Sequence, residues 1–337
     1  MGKGINLLIT GGYGFIGHQF LKLAQQSEDI DYIVVVDKLT YAATNAPSFE
    51  YTIENTEYGK FYKTDICNRE NIEYILKEHD IHAVVNFAAE THVDNSIVDN
   101  TPFINTNVMG VYSILEALRK VWGNRDDCKF IQVSTDEVYG EVTPGFKFFE
   151  QSPYNPRNPY SATKAFGDHM TIAYGNTYGI NVVVSHCSNN YGPGQHEEKL
   201  IPKTIQCALA GHRIPIYGNG KQTRDWIYVE DHADAIMTLL LGGCRPLGKH
   251  YCIGANNVLS NLDIVNKICD ILDRKIPKGQ KYNTLIKHVA DRPGHDMHYA
   301  IDPFKMAMDF GWHAKTNFDK GLEMTVDHYL SKWYGSL

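Results

Sequence analysis

A glycine-rich segment near the start of the chain limits the possible folds more than any other part of the sequence. The apolar run Ile5 to Thr10 leads into Gly11-Gly12-Tyr13-Gly14-Phe15-Ile16-Gly17, and the residues that follow have helical periodicity. Glycines at this spacing permit a tight turn, let the backbone approach a diphosphate, and allow a helix to pack closely on the strand. The N-terminal amides of that helix would face the phosphate charge. The segment therefore predicts a strand, a loop and a helix that together hold a dinucleotide.

Short apolar runs that alternate with helix-like segments indicate the fold class. They are rich in Val and Ile and apolar nearly throughout, as is typical of parallel strands covered by helices on both faces. The runs are Ile5 to Thr10, Tyr32 to Asp37, Ala83 to Ala89, Lys129 to Thr135 and Asn181 to Cys187. We predict an α/β fold with a Rossmann-type, doubly wound parallel sheet.

The pattern becomes less regular after Asn190, where Gly and Pro clusters separate shorter elements. We predict an NAD-binding Rossmann domain over residues 1–190 and a smaller, mainly substrate-binding lobe over residues 191–337, with the chain crossing between the two. Ser260 and Asp263 form a capping box that predicts the start of a helix in this lobe. An apolar stripe from Phe318 to Trp333 predicts another helix, with a packing role only.

Composition excludes several classes of protein. The net charge of −7 argues against bulk binding of nucleic acid, and no apolar run approaches the roughly 18 residues of a membrane span. The start Met1-Gly2-Lys3-Gly4 leads directly into a strand pattern and leaves no room for a signal peptide, so we expect a cytoplasmic protein. The seven scattered cysteines contain no C-x-x-C pair, and we expect neither a metal site nor disulfides.

An acidic residue at the end of the second apolar run indicates which dinucleotide is bound. Asp37 follows Gly17 by 20 residues, where a carboxylate can accept hydrogen bonds from both hydroxyls of the adenosine ribose. Lys38 could tolerate a 2′-phosphate, but Asp37 would repel that phosphate at close range. We therefore expect NAD rather than NADP.

Polar residues suited to acid–base catalysis occur in two places. The run that ends at Thr135 continues into the adjacent acids Asp136 and Glu137, at the strand end where ligands of open α/β sheets bind. Further along, Tyr160 and Lys164 are four residues apart and share one face of a predicted helix. A nearby ammonium favours a tyrosine phenolate, so Tyr160 could accept an alcohol proton during hydride transfer. Thr135, Tyr160 and Lys164 are the predicted hydride-transfer set.

Segments along nearly the whole chain resemble those of the dTDP-glucose 4,6-dehydratases, a family of extended short-chain dehydrogenases. The resemblance is carried by Thr10-Gly11-Gly12, Asp37-Lys38-Leu39-Thr40-Tyr41-Ala42, Ala88-Ala89-Glu90-Thr91-His92-Val93-Asp94, Ser134 to Gly140, Ser188-Asn189-Asn190-Tyr191-Gly192-Pro193, Lys199-Leu200-Ile201-Pro202, Thr223-Arg224-Asp225-Trp226 and Asp291-Arg292-Pro293-Gly294-His295-Asp296. It implies a hydro-lyase of deoxysugar biosynthesis, for instance of rhamnose, that dehydrates a nucleoside diphosphate hexose with tightly bound NAD regenerated in each turnover.

The resemblance also implies roles for the adjacent acids. Asp136 matches the acid that protonates the leaving C6 hydroxyl, and Glu137 matches the base that removes the C5 proton. An epimerase needs no such pair, because it only oxidises, rotates and reduces at C4. The pair therefore favours a dehydratase over a nucleotide-sugar 4-epimerase or decarboxylase.

Contacts to the ligands are implied in the same way. The expected cofactor contacts, besides the glycines, Tyr160 and Lys164, are Phe15, Ile16, Asp37, Lys38, Leu39, Thr40, Asp65, Ile66, Phe87, Ala88, Ala89, Glu90, Thr106 and Asn190. The expected substrate contacts, besides Thr135, are Thr91, Asn189, Lys199, Leu200, Pro215, Ile216, Tyr217, Arg224, Asn257, Asp291, Arg292, Pro293, Gly294 and His295. Arg224 and Arg292 suit a diphosphate because a guanidinium offers forked donors to phosphate oxygens.

Departures from the family pattern leave the nucleotide open. Tyr13 replaces a smaller residue, Asn95 and His298 replace arginines, and the stretch Gln195-His196-Glu197 differs from the usual one. These positions concern the mouth of the substrate site, and Thr91 to Ser96 also resembles the UDP-glucose dehydratases of rhamnose synthesis. UDP-glucose is therefore an alternative substrate, and a noncatalytic NAD-sensing protein is the alternative outside enzymes.

The resemblance also implies a homodimer. The segments Asn105 to Arg119 and Pro159 to Tyr174 match the helices that pair into a four-helix bundle in the family. Their exposed apolar residues would otherwise stay in contact with water.

Overall fold

The computed structural model describes residues 4–43, 58–123, 125–242, 249–291 and 295–334. Its strands are β1 Ile5–Thr10, β2 Ile30–Asp37, β3 Gly59–Lys63, β4 Ala83–Asn86, β5 Lys129–Thr135, β6 Val182–Cys187, β7 Asn189–Tyr191, β8 Ile214–Tyr217, β9 Thr223–Tyr228, β10 Lys249–Ile253, β11 Val258–Ser260 and β12 Ile286–Val289. Seven of them form one parallel sheet in the order β3-β2-β1-β4-β5-β6-β10. The predicted doubly wound parallel sheet is confirmed.

Helices cover both faces of this sheet. The helices of the described residues are α1 Phe15–Gln25, α2 Arg69–Glu78, α3 Val93–Val98, α4 Thr101–Phe103, α5 Val111–Trp122, α6 Pro159–Tyr178, α7 Leu200–Ala210, α8 Val229–Leu241, α9 Asn261–Lys275, α10 Phe304–Phe310 and α11 Phe318–Tyr334. Of these, α7, α9 and α11 pack in the C-terminal part of the chain instead of on this sheet. A π-helical turn, Ile104–Gly110, joins α4 to α5, and a 3-10 turn, Asp136–Tyr139, follows β5.

Alternating side chains of the strands explain why the sheet is covered twice. Ile9 of β1 packs in a core with Phe20 of α1 and Ile236 of α8. Its neighbour Leu8 points to the opposite face and packs with Leu115 of α5. Successive residues in the later parts of β1 and β2 are therefore buried, which accounts for the continuous apolar runs in the sequence.

A second, smaller core lies in the C-terminal part of the chain. Two small sheets, β11-β9-β7 and β12-β8, pack with α7, α9 and α11 around residues such as Tyr191, Ile268 and Val326. The capping box of Ser260 and Asp263 begins α9 as predicted, and α11 covers the predicted apolar stripe. Helix α8 and strand β10 follow residue 190 in the chain but pack in the large sheet layer.

The end of β4 positions one wall of the site. The run predicted to continue to Ala89 leaves the sheet after Asn86, whose amide donates to Gln132 at 2.8 Å. Residues 87–90 consequently form a loop at the carboxyl end of the sheet, beside Gly11.

No helix formed by the described residues combines the length and the apolar character needed to cross a membrane.

Candidate active site

The glycine loop between β1 and α1 forms a close-fitting cradle. Gly11 has a φ of +67°, and a Cβ built on it would lie 2.6 Å from the backbone nitrogen of Ala88. Only glycine tolerates both conditions, because the left-handed backbone is strained for other residues and the Cβ would collide with the backbone. Gly14 caps α1 with no side-chain hydrogen bond, so the first amides of the helix face the cleft. The loop fits the diphosphate of a dinucleotide.

Asp37, at the end of β2, lies beside this loop. Its buried carboxylate accepts hydrogen bonds from the backbone N–H groups of Leu39 at 2.8 Å and Tyr13 at 3.0 Å. Burial raises the pKa of Asp37, while these two N–H donors favour its charged form. The second lone pair of each oxygen can still accept from a ribose hydroxyl.

The side chain of Lys38 turns toward another acid. Its Nζ lies 2.6 Å from Oδ2 of Asp65, and this contact raises the pKa of Lys38. Because the ammonium pairs with Asp65, it adds less attraction for a 2′-phosphate, and Asp37 disfavours that phosphate. The residues present therefore fit NAD.

Two connected cavities follow the carboxyl edge of the sheet. The first is lined by predicted cofactor residues from the adenosine side: Gly11, Gly14, Asp37, Lys38, Thr40, Asp65, Ile66, Phe87, Ala88, Ala89, Glu90 and Thr106. The second adds Phe15, Ile16, Gly17, Thr91, Thr135, Asp136, Glu137, Tyr160, Lys164, Asn189, Asn190 and Lys199. Leu39 lines neither cavity, and its backbone N–H supports Asp37 instead.

The end of β5 presents the two adjacent acids. Thr135 caps the following 3-10 turn, and its Oγ1 accepts a hydrogen bond from the backbone N–H of Glu137 at 3.3 Å. Asp136 is buried, whereas Glu137 is half-buried and accepts from the amide of Asn158 at 3.4 Å. Two neighbouring carboxyl groups thus have different surroundings, as an acid and a base require.

Burial is the main influence on Asp136. It raises the pKa of this carboxyl well above the ordinary value, the charges of Glu137 and Asp225 act in the same direction, and Arg224 opposes them. Oδ2 of Asp136 has no hydrogen-bond partner among the described residues. These surroundings favour the protonated form, which can donate a proton into the cleft.

Tyr160 and Lys164 lie on the first turns of α6. Asn158 and Ser161 form a capping box at its start, and Pro159 occupies the first helical position, where its missing N–H is tolerated. Both side chains are buried, and Nζ of Lys164 donates to the carbonyl of Val133 on β5 at 2.7 Å. The spacing in the sequence puts the pair on one face of α6. Both side chains line the same cavity as Asp136 and Glu137.

Burial changes the expected ionisation of this pair. It raises the pKa of Tyr160 well above the ordinary value, with further contributions from Glu137, Cys187 and Asp136, whereas the hydrogen bond with Thr135 favours the phenolate. Burial also lowers the pKa of Lys164. A phenolate near neutral pH therefore requires more positive charge beside Tyr160 than the lysine spacing alone suggested.

Comparisons with known proteins agree with this geometry. The profile of the family described as GDP-mannose 4,6 dehydratase matches residues 8–325. The dTDP-glucose 4,6-dehydratase of Escherichia coli is 43% identical over 97% of this chain and 93% of its own. The chain belongs to the dTDP-glucose 4,6-dehydratase family.

Solved structures from this dehydratase family have the same fold. The dTDP-glucose 4,6-dehydratase of Bacillus anthracis, crystallised with NAD, is 39% identical, with a TM-score of 0.85 over 98% of both chains. DesIV, the dTDP-glucose 4,6-dehydratase of Streptomyces venezuelae, also crystallised with NAD, is 36% identical, with a TM-score of 0.86 over 98% of both chains. The predicted family and fold are confirmed.

Charged residues surround the mouth of the dehydratase cleft. His92 and His196 approach the same oxygen of Glu198, at 3.6 and 3.5 Å, and Lys199 donates to the carbonyl of Thr91 at 3.2 Å. Tyr217 of the C-terminal lobe donates to Asp94 at 3.1 Å. These contacts join the two parts of the molecule across the cleft.

The remaining expected substrate contacts of the dehydratase family lie in the C-terminal lobe and do not line the second cavity. Arg224 is buried, donates to the carbonyls of Thr223 at 2.7 Å and Asp296 at 2.8 Å, and packs over the ring of Tyr299. The others outside the second cavity are Leu200, Pro215, Ile216, Tyr217, Asn257, Asp291 and His295. The side chain of Ile216 lies in the hydrophobic core of the lobe. Arg292, Pro293 and Gly294 lie outside the described residues.

Sequence reasoning missed two residues that orient the predicted contacts. In the π-helical turn, buried Asn107 accepts from the backbone N–H of Glu90 at 2.9 Å and donates to its carbonyl at 3.0 Å, which fixes the loop after β4. Nδ1 of buried His232 lies 2.9 Å from Oδ1 of Asn190, and burial lowers the pKa of His232 to about 3. Each is a single polar residue in a helical pattern, so no local signal could have identified it.

Proposed function

We propose that this protein converts dTDP-glucose to dTDP-4-keto-6-deoxyglucose and water, and is therefore a hydro-lyase. The observation that carries the proposal is that Asp136 and Glu137 share one cavity with Tyr160 and Lys164. Oxidation at C4 needs only the second pair, whereas elimination across C5 and C6 also needs an acid and a base. The relatives' names support the substrate.

Oxidation at C4 is assigned to the residues of α6 and the end of β5. Tyr160 accepts the proton of the 4-hydroxyl, the ammonium of Lys164 stabilises the phenolate, and Thr135 hydrogen-bonds to Tyr160. When bound, NAD supplies the hydride acceptor for C4, the hydride donor for C6 and a positive charge near Tyr160. The glycine loop and Asp37 would hold NAD as described above.

Elimination is assigned to the adjacent acids. The C4 ketone acidifies the C5 proton, which Glu137 removes, and Asp136 protonates the C6 hydroxyl so that it leaves as water. Burial suits Asp136 to this role, because it keeps the carboxyl group protonated at pH values where an exposed aspartate would be ionised. Half-buried Glu137 remains able to accept a proton.

Residues on both sides of the cleft are proposed to hold the nucleotide sugar. Thr91, Asn189 and Lys199 line the inner cavity near the chemical groups. Arg224 and the other expected contacts in the C-terminal lobe would bind the diphosphate and nucleoside, and UDP-glucose remains the alternative substrate. The cofactor domain and the substrate lobe are proposed to follow the division at residue 190, apart from α8 and β10.

Parallel incubations with dTDP-glucose and UDP-glucose test the substrate and the reaction. Mass spectrometry of the product should show the loss of one water from the preferred nucleotide sugar. Deuterium placed at C4 of that sugar should appear on the C6 methyl group of the product, and heavy water should label C5. Release of free reduced cofactor at the rate of product formation, or loss of the C4 label to the medium, would indicate an ordinary alcohol dehydrogenase instead.

We further propose a homodimer formed through α5, α6 and the π-helical turn. Met109, Tyr112 and Phe166 expose large apolar surfaces on these elements. Pairing with a second copy would remove that surface from water. Sedimentation at micromolar protein should show a dimer, and a monomer alone would contradict the proposal.

A cytoplasmic location is proposed from the cysteines. The described cysteines Cys67, Cys128, Cys187, Cys207, Cys252 and Cys269 are free thiols. Free, mostly buried thiols are typical of proteins in a reducing compartment. Fractionation of cells that express the protein would test this.

A further inference from the structure

A buried polar cluster lies beneath the active site, on the side away from the cleft. At its centre is Asp168 of α6, one helical turn after Lys164. Its Oδ2 lies 2.7 Å from Oγ of Ser134, 3.2 Å from the hydroxyl of Tyr154 and 3.2 Å from Nε2 of His186. Asp168 and His186 are fully buried. The cluster therefore joins α6 to the ends of β5 and β6.

The hydrogen-bonding groups around Oδ2 of Asp168 suit a carboxylate. Three groups able to donate converge on one oxygen, which satisfies an anion but leaves no acceptor for a carboxyl proton there. His186 lies between two tyrosine hydroxyls, with Nδ1 3.0 Å from Tyr139 and Nε2 2.7 Å from Tyr154, and Nε2 is also 3.2 Å from Asp168. The other oxygen, Oδ1, is buried without a hydrogen-bond partner among the described residues.

Aromatic rings and one ammonium group surround the cluster, and Nζ of Lys305 donates to the carbonyl of His250 at 2.5 Å. Tyr139, Tyr154 and His186 contact the cluster directly, and His250 of β10 stacks on His186 at 5.4 Å. Burial lowers the pKa of His250 to about 4, with His186 acting in the same direction, so this ring is neutral near pH 7. Asp168 acts electrostatically on Lys164, which precedes it by four residues on the same helix.

Lys164 needs such a charge. Its side chain is buried, and its Nζ has a hydrogen bond to the neutral carbonyl of Val133. Burial lowers the pKa of Lys164, and the two groups that oppose this effect are Asp168, on the same helix, and the thiol of Cys187 on β6. A lysine buried without an anion loses its proton and could no longer stabilise a phenolate.

We propose that Asp168 is a positioning residue whose buried carboxylate keeps Lys164 charged and, through Ser134, fixes the end of β5 that carries Thr135. Asp168 lines neither cavity of the active site, so it acts through Lys164 and not on the substrate. The inference rests on the proposed function to the extent that Lys164 assists Tyr160 during oxidation.

The test is the pH dependence of C4 oxidation in Asp168→Asn. The variant removes the charge but keeps the shape, so Lys164 loses its proton more readily and the Tyr160 phenolate forms only at higher pH. The midpoint of the rising limb of the rate should move up by about one pH unit or more, which is about a tenfold loss of rate below the midpoint. Above the midpoint, the rates should converge with the wild-type rates.

Thr171→Ala is the matched control. Thr171 is buried on the same helix, and its hydroxyl donates to the carbonyl of Gly167 at 2.8 Å. The control loses a buried hydrogen bond without changing charge, so it should lose stability and keep the wild-type midpoint. An unmoved midpoint in folded Asp168→Asn, or an equal shift in Thr171→Ala, would overturn the proposal.

Two further measurements cover the remaining outcomes. If Asp168→Asn does not fold, His186→Gln, which keeps the carboxylate, must retain the wild-type midpoint, and a shift there would contradict the proposal. If the wild-type protein dehydrates no nucleotide sugar, the proposed function fails by itself. The ultraviolet absorbance of the Tyr160 phenolate in the holoenzyme, with Tyr160→Phe as the blank, then reports the same midpoint without turnover, and it must again be higher in Asp168→Asn.

Discussion

The floor and the rim of the cleft contain similar polar side chains in opposite surroundings. On the floor, Asp136, Tyr160 and Lys164 are buried, and burial shifts the pKa of each toward its neutral form. At the rim, Glu198 and its histidine partners are partly exposed, so solvent screens their charges. The difference teaches that the floor can adjust proton affinities over a wide range, whereas the rim can contribute only modest attraction.

The largest effect is expected from a change on the floor. Tyr160→Phe removes the proposed proton acceptor for the 4-hydroxyl while preserving the ring, so oxidation should slow by about 10³-fold or more. Single-turnover measurement of cofactor reduction would check this. Retention of near wild-type oxidation would show that another group accepts the proton and that the floor is not organised as described.

The second-largest loss of activity is expected from Glu137→Gln, because this change affects elimination, the step that follows oxidation. The amide is nearly isosteric but cannot take the C5 proton, so dehydration should fall by about 10² to 10⁴-fold. Cofactor binding should be normal, and exchange of the C5 proton with heavy water should be lost. Wild-type turnover in this variant would show that Glu137 is not the base that removes the C5 proton.

Asp136→Asn should separate stability from activity on the floor. The raised pKa of Asp136 means that its folded state prefers the proton, so the wild-type protein loses stability as the pH rises through that pKa. The neutral amide avoids this loss and should raise the melting temperature at pH 8, although dehydration slows. The difference in melting temperature should shrink as the pH falls, and a difference independent of pH would contradict the buried, protonated carboxyl group.

The smallest effect is expected at the rim. Tyr217→Phe removes the exposed hydrogen bond to Asp94 that spans the cleft. Exposed contacts of this kind contribute about 1 kcal/mol or less, so KM should rise by no more than several-fold while kcat stays constant. A large fall in kcat would mean that the rim takes part in the chemistry, and the contrast with the floor would then fail.

Local sequence patterns predicted much of the cofactor side. The strand, glycine loop and helix from Ile5 to Gln25 depend on backbone conformations that the residues themselves dictate, and the structure has all three in order. The spacing of Tyr160 and Lys164 fixes their common face wherever the helix packs. The end of β4 was predicted three residues too late, because the apolar run continues into residues that line the cleft instead of the sheet.

The pKa shifts of the site residues could not be predicted from local sequence patterns. The spacing suggested that Lys164 alone favours the Tyr160 phenolate, but the depth of burial outweighs that effect and raises the pKa of Tyr160. Likewise, Asn107 looks like an ordinary helical residue until the loop after β4 is placed beside it. Burial and partners depend on residues that are distant in the chain.

The sequence by itself predicted five of the seven strands of the large sheet, the glycine loop, the position of Asp37 after the second strand and the family, because each follows from short spacings or matched segments. Only the tertiary structure decided which carboxyl groups are buried, and hence whose pKa is raised, and which side chains contact them. Asp168 and His186 meet because β6 pairs with β5 and α6 packs on both strands. Such a contact depends on how layers stack, and no spacing along the chain encodes it.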